Sequence, residues 1–366
     1  MNTIIELIKS VEKTFDLSKI YLPIDEMGID SLGLVTLRAE IEKTFGINID
    51  DNDWYSFNTV EELIKYCETL TVVDRGEILK ESINIKKNYE IDMPQMSNYA
   101  LSENWLFKEL GNNHWKLLSK GLGKTSSEIT DVNGERLYAT FVRIRFVNTS
   151  LRKFKENASF KTEGYITRYG NNNFLSNFEC ISKDNVIKSE LMTTFSKRDG
   201  KDNFDLTKSS PKFSSIISET HEIPQFLTDF RLIKKDLNEF HNLDNEKIML
   251  LKNNVYNINY SINPYYDLNG VGLLYFASYP TISDYCETQF FNSLDQINQW
   301  ADEYFTTARD IFYFSNCNID DIICLVINNY EFINEKRVKI YSSLIRKTDN
   351  TKMADIFTIK EKFAHS

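Results

Sequence analysis

Gly28-Ile29-Asp30-Ser31-Leu32 decides how the amino-terminal part of this 366-residue chain is read. The stretch lies between an acidic turn and Leu34-Val35-Leu37-Ile41-Phe45, a spacing that predicts an amphipathic helix from Ser31 to Thr44, ended by Gly46. Serine is among the best helix N-caps, and a serine at a helix start is exposed and oriented for modification. Upstream, Ile4, Ile5, Leu7, Ile8, Val11 and Phe15 fall at helical spacing over residues 2–15. Downstream, Asp50-Asp51-Asn52-Asp53 predicts a short helical turn. Thr59-Val60-Glu61-Glu62 then reads as a capping box opening a last helix to about Cys67.

Four helices with a serine at the start of the second resemble the acyl carrier protein family. The resemblance rests on the Gly28–Leu32 motif, on Phe45-Gly46-Ile47 and on Phe57-Asn58-Thr59-Val60. It implies a 4'-phosphopantetheine on Ser31, with Asp30 helping a phosphopantetheinyl transferase read the site. The protein would then handle acyl thioesters, with acyl-CoA as substrate and a polyketide synthase or other carrier-dependent enzymes as partners. The plainer alternative, Ser31 as an N-cap only, is compatible with modification.

Residues 1–70 hold 14 Asp and Glu against 6 Lys and Arg, a net −8, whereas the other 296 carry 39 against 37, a net −2. A small acidic domain therefore precedes a near-neutral body, and its acidity would guide encounters with basic patches on partner enzymes. No basic stripe exists to neutralise phosphates, which argues against nucleic acid as a partner. No apolar run reaches the eighteen or so residues of a membrane span, and the start lacks the basic and apolar segments of a signal peptide. Five scattered cysteines without CxxC spacing point to a reducing cytoplasm and against zinc.

From Met93 onward the pattern changes. Leu101–Gly111 reads as a buried helix capped by Ser102, followed by strands at Arg136–Phe146, Phe160–Tyr169, Phe174–Ile181 and Val186–Phe195. A helix lying across antiparallel strands is the hot-dog unit. A polar, helix-biased bridge at Glu219–Glu239 leads to a second unit. There Val255–Ile262 reads as a strand, Leu268–Ala277 as its buried helix, and Gln296–Tyr304 as a further helix. The remaining strands read as Asp310–Phe314, Ile322–Tyr330, Lys339–Arg346 and Ala354–Ile359. The expected architecture is multidomain α+β: a four-helix carrier bundle (1–72), a linker (73–90), a first hot-dog (91–200), a bridge (201–245) and a second hot-dog (246–366).

Four segments in order carry a second resemblance: Met93–Trp115, Gly134–Phe141, Asp267–Phe276 and Arg309–Phe314. They resemble the double-hot-dog acyltransferase/decarboxylases of polyketide pathways typified by the leinamycin enzyme. That resemblance implies decarboxylation of a malonyl-type, above all methylmalonyl, coenzyme A thioester, with the short acyl group left on a carrier's phosphopantetheine. Thioesterases, dehydratases and non-catalytic acyl-binding or docking modules share such folds, so the site must decide.

Decarboxylation needs donors for the developing enolate oxygen, a dry pocket and a proton for the α-carbon. Asn269 and Gly270, expected at the start of the second buried helix, are candidate oxyanion donors, although Asp-x-Asn-Gly is also ordinary turn chemistry. Tyr138 matches the tyrosine proposed as acyl acceptor in the family, and a phenol also suits a proton source; packing in the sheet is the alternative. His114, after a Gly-Asn-Asn that reads as a helix end, is an acid/base candidate or a capping residue. Asn104 and Glu103 lie where hot-dog enzymes place a catalytic amide or carboxylate, and Glu103 could equally answer the helix dipole. Arg309-Asp310 reads as an ion pair within the double fold, with a substrate carboxylate or a coenzyme A phosphate as the alternative partner of Arg309. His221, in the polar bridge, and His365, at the tail, read as solvated, and His241 has no evident partner.

Overall fold

The computed structural model describes residues 2–363 except 12–14, 17–19, 24–30, 46–48, 50–53, 55–56, 73–82, 149, 184, 213–214, 221, 243–245 and 295–298. Asp30, His221, His365 and the expected turn at 50–53 lie outside the described residues. The chain divides into two compact units, Met1–Glu81 and Ser82–Ser366.

In the first unit, three helices are described: α1 (Asn2–Val11), α2 (Ser31–Phe45) and α3 (Val60–Val72). Three of the four expected helices are thus among the described residues, and the four-helix bundle itself is not established. Ile5, Ile8, Leu37, Ile41, Val60, Leu63 and Ile64 close a core around Phe15 and Ile49. At the head of α3 the Thr59 half of the expected capping box forms, while the Glu62 carboxylate reaches one residue further back. Thr59 Oγ1 accepts from the Glu62 amide at 3.3 Å, and Glu62 Oε2 accepts from the Asn58 amide at 2.7 Å. Arg38 ties α2 to the segment after it, pairing with Glu42 at 3.0 Å and donating to the Ile49 carbonyl.

The second unit begins with strand β1 (Asn84–Glu90), a short hairpin of β2 (Met96–Ser97) and β3 (Ala100–Leu101), and helix α4 (Glu103–Leu122). Strands β4 (Tyr138–Asn148), β5 (Ser159–Tyr169), β6 (Asn173–Ser182), β7 (Asn185–Arg198) and β8 (Leu206–Lys208) follow. Helix α5 (Gln225–Lys234) and a small hairpin, β9 (Glu239–His241) and β10 (Lys247–Met249), form the bridge. The order then repeats: β11 (Tyr256–Ser261), helix α6 (Ser278–Asn292), the short α7 (Trp300–Glu303), β12 (Tyr304–Tyr313), β13 (Ile322–Asn334), β14 (Arg337–Arg346) and β15 (Thr351–Lys362).

All these strands except the two small hairpins share one sheet, ordered β1-β5-β6-β7-β4-β12-β15-β14-β13-β11, with β8 on the end of β7. Read from either edge, the sequence of roles is the same, which makes the unit a double hot-dog related by a pseudo-twofold axis. The axis passes through the antiparallel β4–β12 pair, where Ile144 faces Ile311 and Arg145 faces Asp310. One face buries α4 and α6 in a core that includes Phe107, Phe146, Phe195, Phe291 and Trp300. Each such ring contributes roughly 1.5–3 kcal/mol on burial.

The opposite face carries the bridge. Arg143, fully buried, donates to Asp310 (2.6 and 2.9 Å), Asp229 (3.2 Å) and the Phe226 and His241 carbonyls. Its guanidinium lies over the Phe226 and Phe312 rings. Asp229 also pairs with His241 Nδ1 at 3.0 Å, which gives that histidine the partner its sequence context concealed. Arg309 and Asp310 are both ion-paired, yet with different partners on opposite faces of the sheet. Arg309 points to the helices and meets Glu103 (2.6 Å) and Asp284 (2.8 Å).

Four elements differ from the sequence reading. β1 lies within the stretch read as a linker, and β12 starts at Tyr304, where the expected helix was to end, well before the expected strand start at Asp310. Leu268–Ala277 is a loop, not a helix, and the second buried helix starts at Ser278. The first buried helix runs through Gly111-Asn112-Asn113 to Leu122 and ends at Gly123, whose φ of +62° makes a left-handed cap. No described helix is long and apolar enough to cross a membrane.

Candidate functional site

A cavity of about 730 Å³ opens where the middle of α4, the start of β4, the 268–276 loop and the end of β12 converge. Its floor is aromatic: Phe141 and Phe276 lie with centroids 4.1 Å apart, their planes tilted by 38°. Close approach makes the floor possible, because a Cβ on Gly111 would lie 2.4 Å from Phe276 Cζ. The size falls within the range of small-ligand sites. Among the described residues lining it there are hydroxyls, carboxamides, lysines and an arginine, but no Asp, Glu, His or Cys.

The 268–276 loop is built by its own polar side chains. Asn269 Oδ1 accepts from the Val271 and Leu273 amides at 3.0 Å each, and Asn316 Oδ1 accepts from the Leu274 amide at 2.9 Å. Buried Asp267 accepts from the Tyr260 hydroxyl (2.9 Å) and the Asn263 amide (2.7 Å). Gly272 takes φ +78°, a conformation glycine adopts without strain. From the first hot-dog, Arg198 and Asn203 donate to the Val271 and Gly272 carbonyls at 2.7 Å. These bonds leave Asn269 Nδ2 and the Gly270 amide without acceptors among the described residues, on a loop that lines the cavity. Both groups are therefore donors on a fixed loop, not at a helix N-terminus.

Four tyrosines line the cavity. Tyr279 and Tyr313 give their hydroxyls to the Ser315 and Phe276 carbonyls (2.8 and 3.0 Å), and burial raises both phenols well above their usual pKa. Tyr138 and Tyr275 make no hydrogen bond through their hydroxyls among the described residues. The Arg136 guanidinium lies over the Tyr138 ring at 5.2 Å, and Lys108 over Tyr275 at 5.6 Å. Burial first, and then the charge of Glu109, raises the Tyr275 pKa. Sequence reasoning missed Tyr275, although it stands in a segment already singled out.

Tyr138, Asn269 and Gly270 thus meet at one cavity, whereas His114 and Asn104 do not line it. His114 is fully buried behind Phe141, with Nδ1 2.7 Å from Ser176 Oγ and Nε2 2.7 Å from Thr193 Oγ1. Burial pulls its pKa down to about 3, so it is a neutral structural link between α4 and the sheet. Asn104 joins the two buried helices, its Nδ2 donating to the Ala277 carbonyl (2.9 Å) and Thr281 Oγ1 (3.1 Å). Glu103 is spent on Arg309 beneath the same junction. Burial raises its pKa despite that partner.

In the first unit, residues 2–67 match the family described as "Phosphopantetheine attachment site". Residues 2–67 form a phosphopantetheine attachment domain. The acyl carrier protein of Thermotoga maritima is 42% identical over 45 residues, which is 12% of this chain and 56% of that protein. That of Phytoplasma australiense is 39% identical over 44 residues, 12% of this chain and 58% of that one. The chain therefore spans somewhat more than half the length of the curated relatives it matches. The cofactor of this domain is 4'-phosphopantetheine. Ser31, the first residue of α2, suits it, because free amides and the dipole at a helix start favour a phosphate.

Rather more than three quarters of the chain also resembles solved structures in fold. An acyl-ACP thioesterase from Bacteroides thetaiotaomicron gives a TM-score of 0.50 at 11% identity, covering 77% of this chain and 99% of that one. A putative oleoyl thioesterase from Lactobacillus plantarum gives 0.53 at 9%, covering 78% and 97%. The 12:0-ACP thioesterase from Umbellularia californica gives 0.51 at 10%, covering 77% and 95%. The chain thus joins a phosphopantetheine attachment domain to a domain with the hot-dog fold.

Proposed function

We propose that the double hot-dog decarboxylates a malonyl-type coenzyme A thioester, methylmalonyl above all, and that the short acyl group is placed on the prosthetic arm of Ser31. The observation that carries this reading is the composition of the cavity wall. Hydrolysis and dehydration need a base to activate water or remove an α-proton, and the described wall has no carboxylate, imidazole or thiol. Decarboxylation needs none: it needs donors for an oxyanion, apolar surroundings and one proton. The structural neighbours named as thioesterases support thioester chemistry on this fold.

In the proposed reaction the bond between the α-carbon and the carboxylate breaks and carbon dioxide leaves. The electron pair stays on the α-carbon and delocalises onto the thioester oxygen. Asn269 Nδ2 and the Gly270 amide donate to that oxygen as its charge grows. Phe141 and Phe276 exclude water from the carboxylate. The hydroxyl of Tyr138 or Tyr275 gives its proton to the α-carbon and regains one from solvent. 4'-Phosphopantetheine, held at Ser31, would supply the thiol that takes the place of coenzyme A in the acyl thioester, with coenzyme A released as its thiol and carrying the displaced proton.

Carboxyl-labelled methylmalonyl-CoA tests the chemistry. The expected result is label in carbon dioxide with the propionyl thioester intact. Release of free methylmalonate without labelled carbon dioxide would replace decarboxylation by hydrolysis.

A further inference from the structure

The exposed rim of the cavity holds a group of cations that the decarboxylation does not use. Lys208 on β8, Lys234 in the last turn of α5 and Arg136 just before β4 all line it. Arg231, three residues before Lys234, is near enough to Lys208 to repel it. None of the four makes an ion pair among the described residues. Some cations elsewhere in this unit have acids beside them, as in Lys87–Glu109 (2.6 Å), Arg168–Glu219 (2.6 Å) and Lys352–Asp236 (2.9 Å). Single surface lysines such as Lys120 and Lys153 have none among the described residues; what sets the rim apart is that three of its unpaired cations line one cavity.

The macrodipole explains basic residues in the last turn of α5. It does not explain Lys208, which comes from a different element and lines the same cavity as Lys234. Partial burial, then the charges of Lys234 and Arg231, pull the Lys208 pKa down. Like charges gathered at a cavity rim without a counter-charge suit an anion that arrives with the ligand. A pantetheine thioester brings one: with the acyl end in the cavity, the 4'-phosphate at the other end of the pantetheine unit is left outside.

We propose that Lys208, Arg231 and Lys234, with Arg136 on the same rim, seat the 4'-phosphate of the pantetheine unit whose thioester enters the cavity. This rests on the thioester reading above. The phosphate is common to coenzyme A and to a carrier's arm, so the test separates the two.

Titration calorimetry on the full chain carrying Ser31→Ala would compare pantetheine, 4'-phosphopantetheine and coenzyme A. The phosphorylated form is expected to bind roughly tenfold tighter than pantetheine at low salt. That advantage should shrink as salt rises and disappear when Lys208→Ala, Arg231→Ala and Lys234→Ala are combined. Retained pantetheine binding in the triple variant shows that its cavity is intact. Coenzyme A binding no tighter than 4'-phosphopantetheine assigns the rim to the 4'-phosphate shared with a carrier arm, and tighter binding adds the nucleotide phosphates. Equal affinity for pantetheine and its phosphate, or an advantage that survives the triple substitution, overturns the phosphate seat alone. Failure of any pantetheine compound to bind overturns the thioester reading and the seat with it.

Discussion

Acidification should cost the hot-dog unit more than its carboxylates alone explain, and the excess should trace to one residue. His114 is fully buried between Ser176 and Thr193, whose hydroxyls serve both ring nitrogens without offering a negative charge. Burial takes its pKa from 6.5 to about 3. In the unfolded chain the imidazole takes up a proton below pH 6.5, while in the folded protein it resists until about 3. The unfolded state therefore binds more protons across that window, and stability falls as pH drops through it at about 1.4 kcal/mol per unit. The full contribution is present above pH 6.5, and by pH 5 about 2 kcal/mol is gone. Hydrogen exchange of the α4 amides at increasing urea, corrected for intrinsic rates, would read this in the native protein and in His114→Gln. The native protein should lose about 2 kcal/mol more than the variant between pH 7.5 and 5. Parallel losses would refute the assignment of a buried neutral imidazole.

Gly111→Ala should narrow the cavity, since its Cβ would lie 2.4 Å from Phe276 Cζ and the ring must move. We expect a net loss of about 0–2 kcal/mol, the overpacking cost partly offset by helix propensity. Turnover of larger acyl groups should fall most, with recovery on adding Phe276→Leu, as measured by thermal unfolding and chain-length kinetics. Arg309→Met removes the cation shared by Glu103 and Asp284 and should cost about 3–5 kcal/mol in urea unfolding; adding Glu103→Gln should restore part of it. Tyr138→Phe should lower kcat for methylmalonyl-CoA by about 10²–10⁴ with little change in KM if this phenol supplies the proton. An unchanged kcat in Tyr138→Phe together with a loss in Tyr275→Phe would move the role to Tyr275.

Much of the fold was legible. Strands β4–β7, β11, β14 and β15 read from the chain to within a few residues of their observed bounds, and β13 does so except at its far end, whereas β12 was read only in its second half, β1 fell in the expected linker, and the short β2, β3 and β8–β10 were not read. The second buried helix was misplaced for a physical reason. Leu268, Val271, Leu274 and Phe276 mimic helical spacing, but Asp267, Asn269 and Asn316 take the backbone groups that a helix would need. The real helix, α6, buries Ser278, Ser283 and Glu287, which breaks the apolar period that would have marked it. Gly111-Asn112-Asn113 looks like a helix end, yet Gly111 is there to admit Phe276, and Asn113 Nδ2 donates to the Tyr89 hydroxyl at 3.3 Å. For the site, Tyr138 was singled out by the family resemblance and Asn269 by an expected helix start that is a loop instead; the structure places both on the wall of one cavity. The buried state of His114 and the gathering of Lys208 with α5 depend on contacts remote in sequence, which no local pattern encodes.

Intact-mass analysis of the phosphopantetheinylated protein after exposure to methylmalonyl-CoA tests the central claim most directly. The account predicts a mass gain of one propionyl group, absent from Ser31→Ala, with one carbon dioxide released for each group loaded. A gain that keeps the carboxylate, or no gain at all, would contradict it.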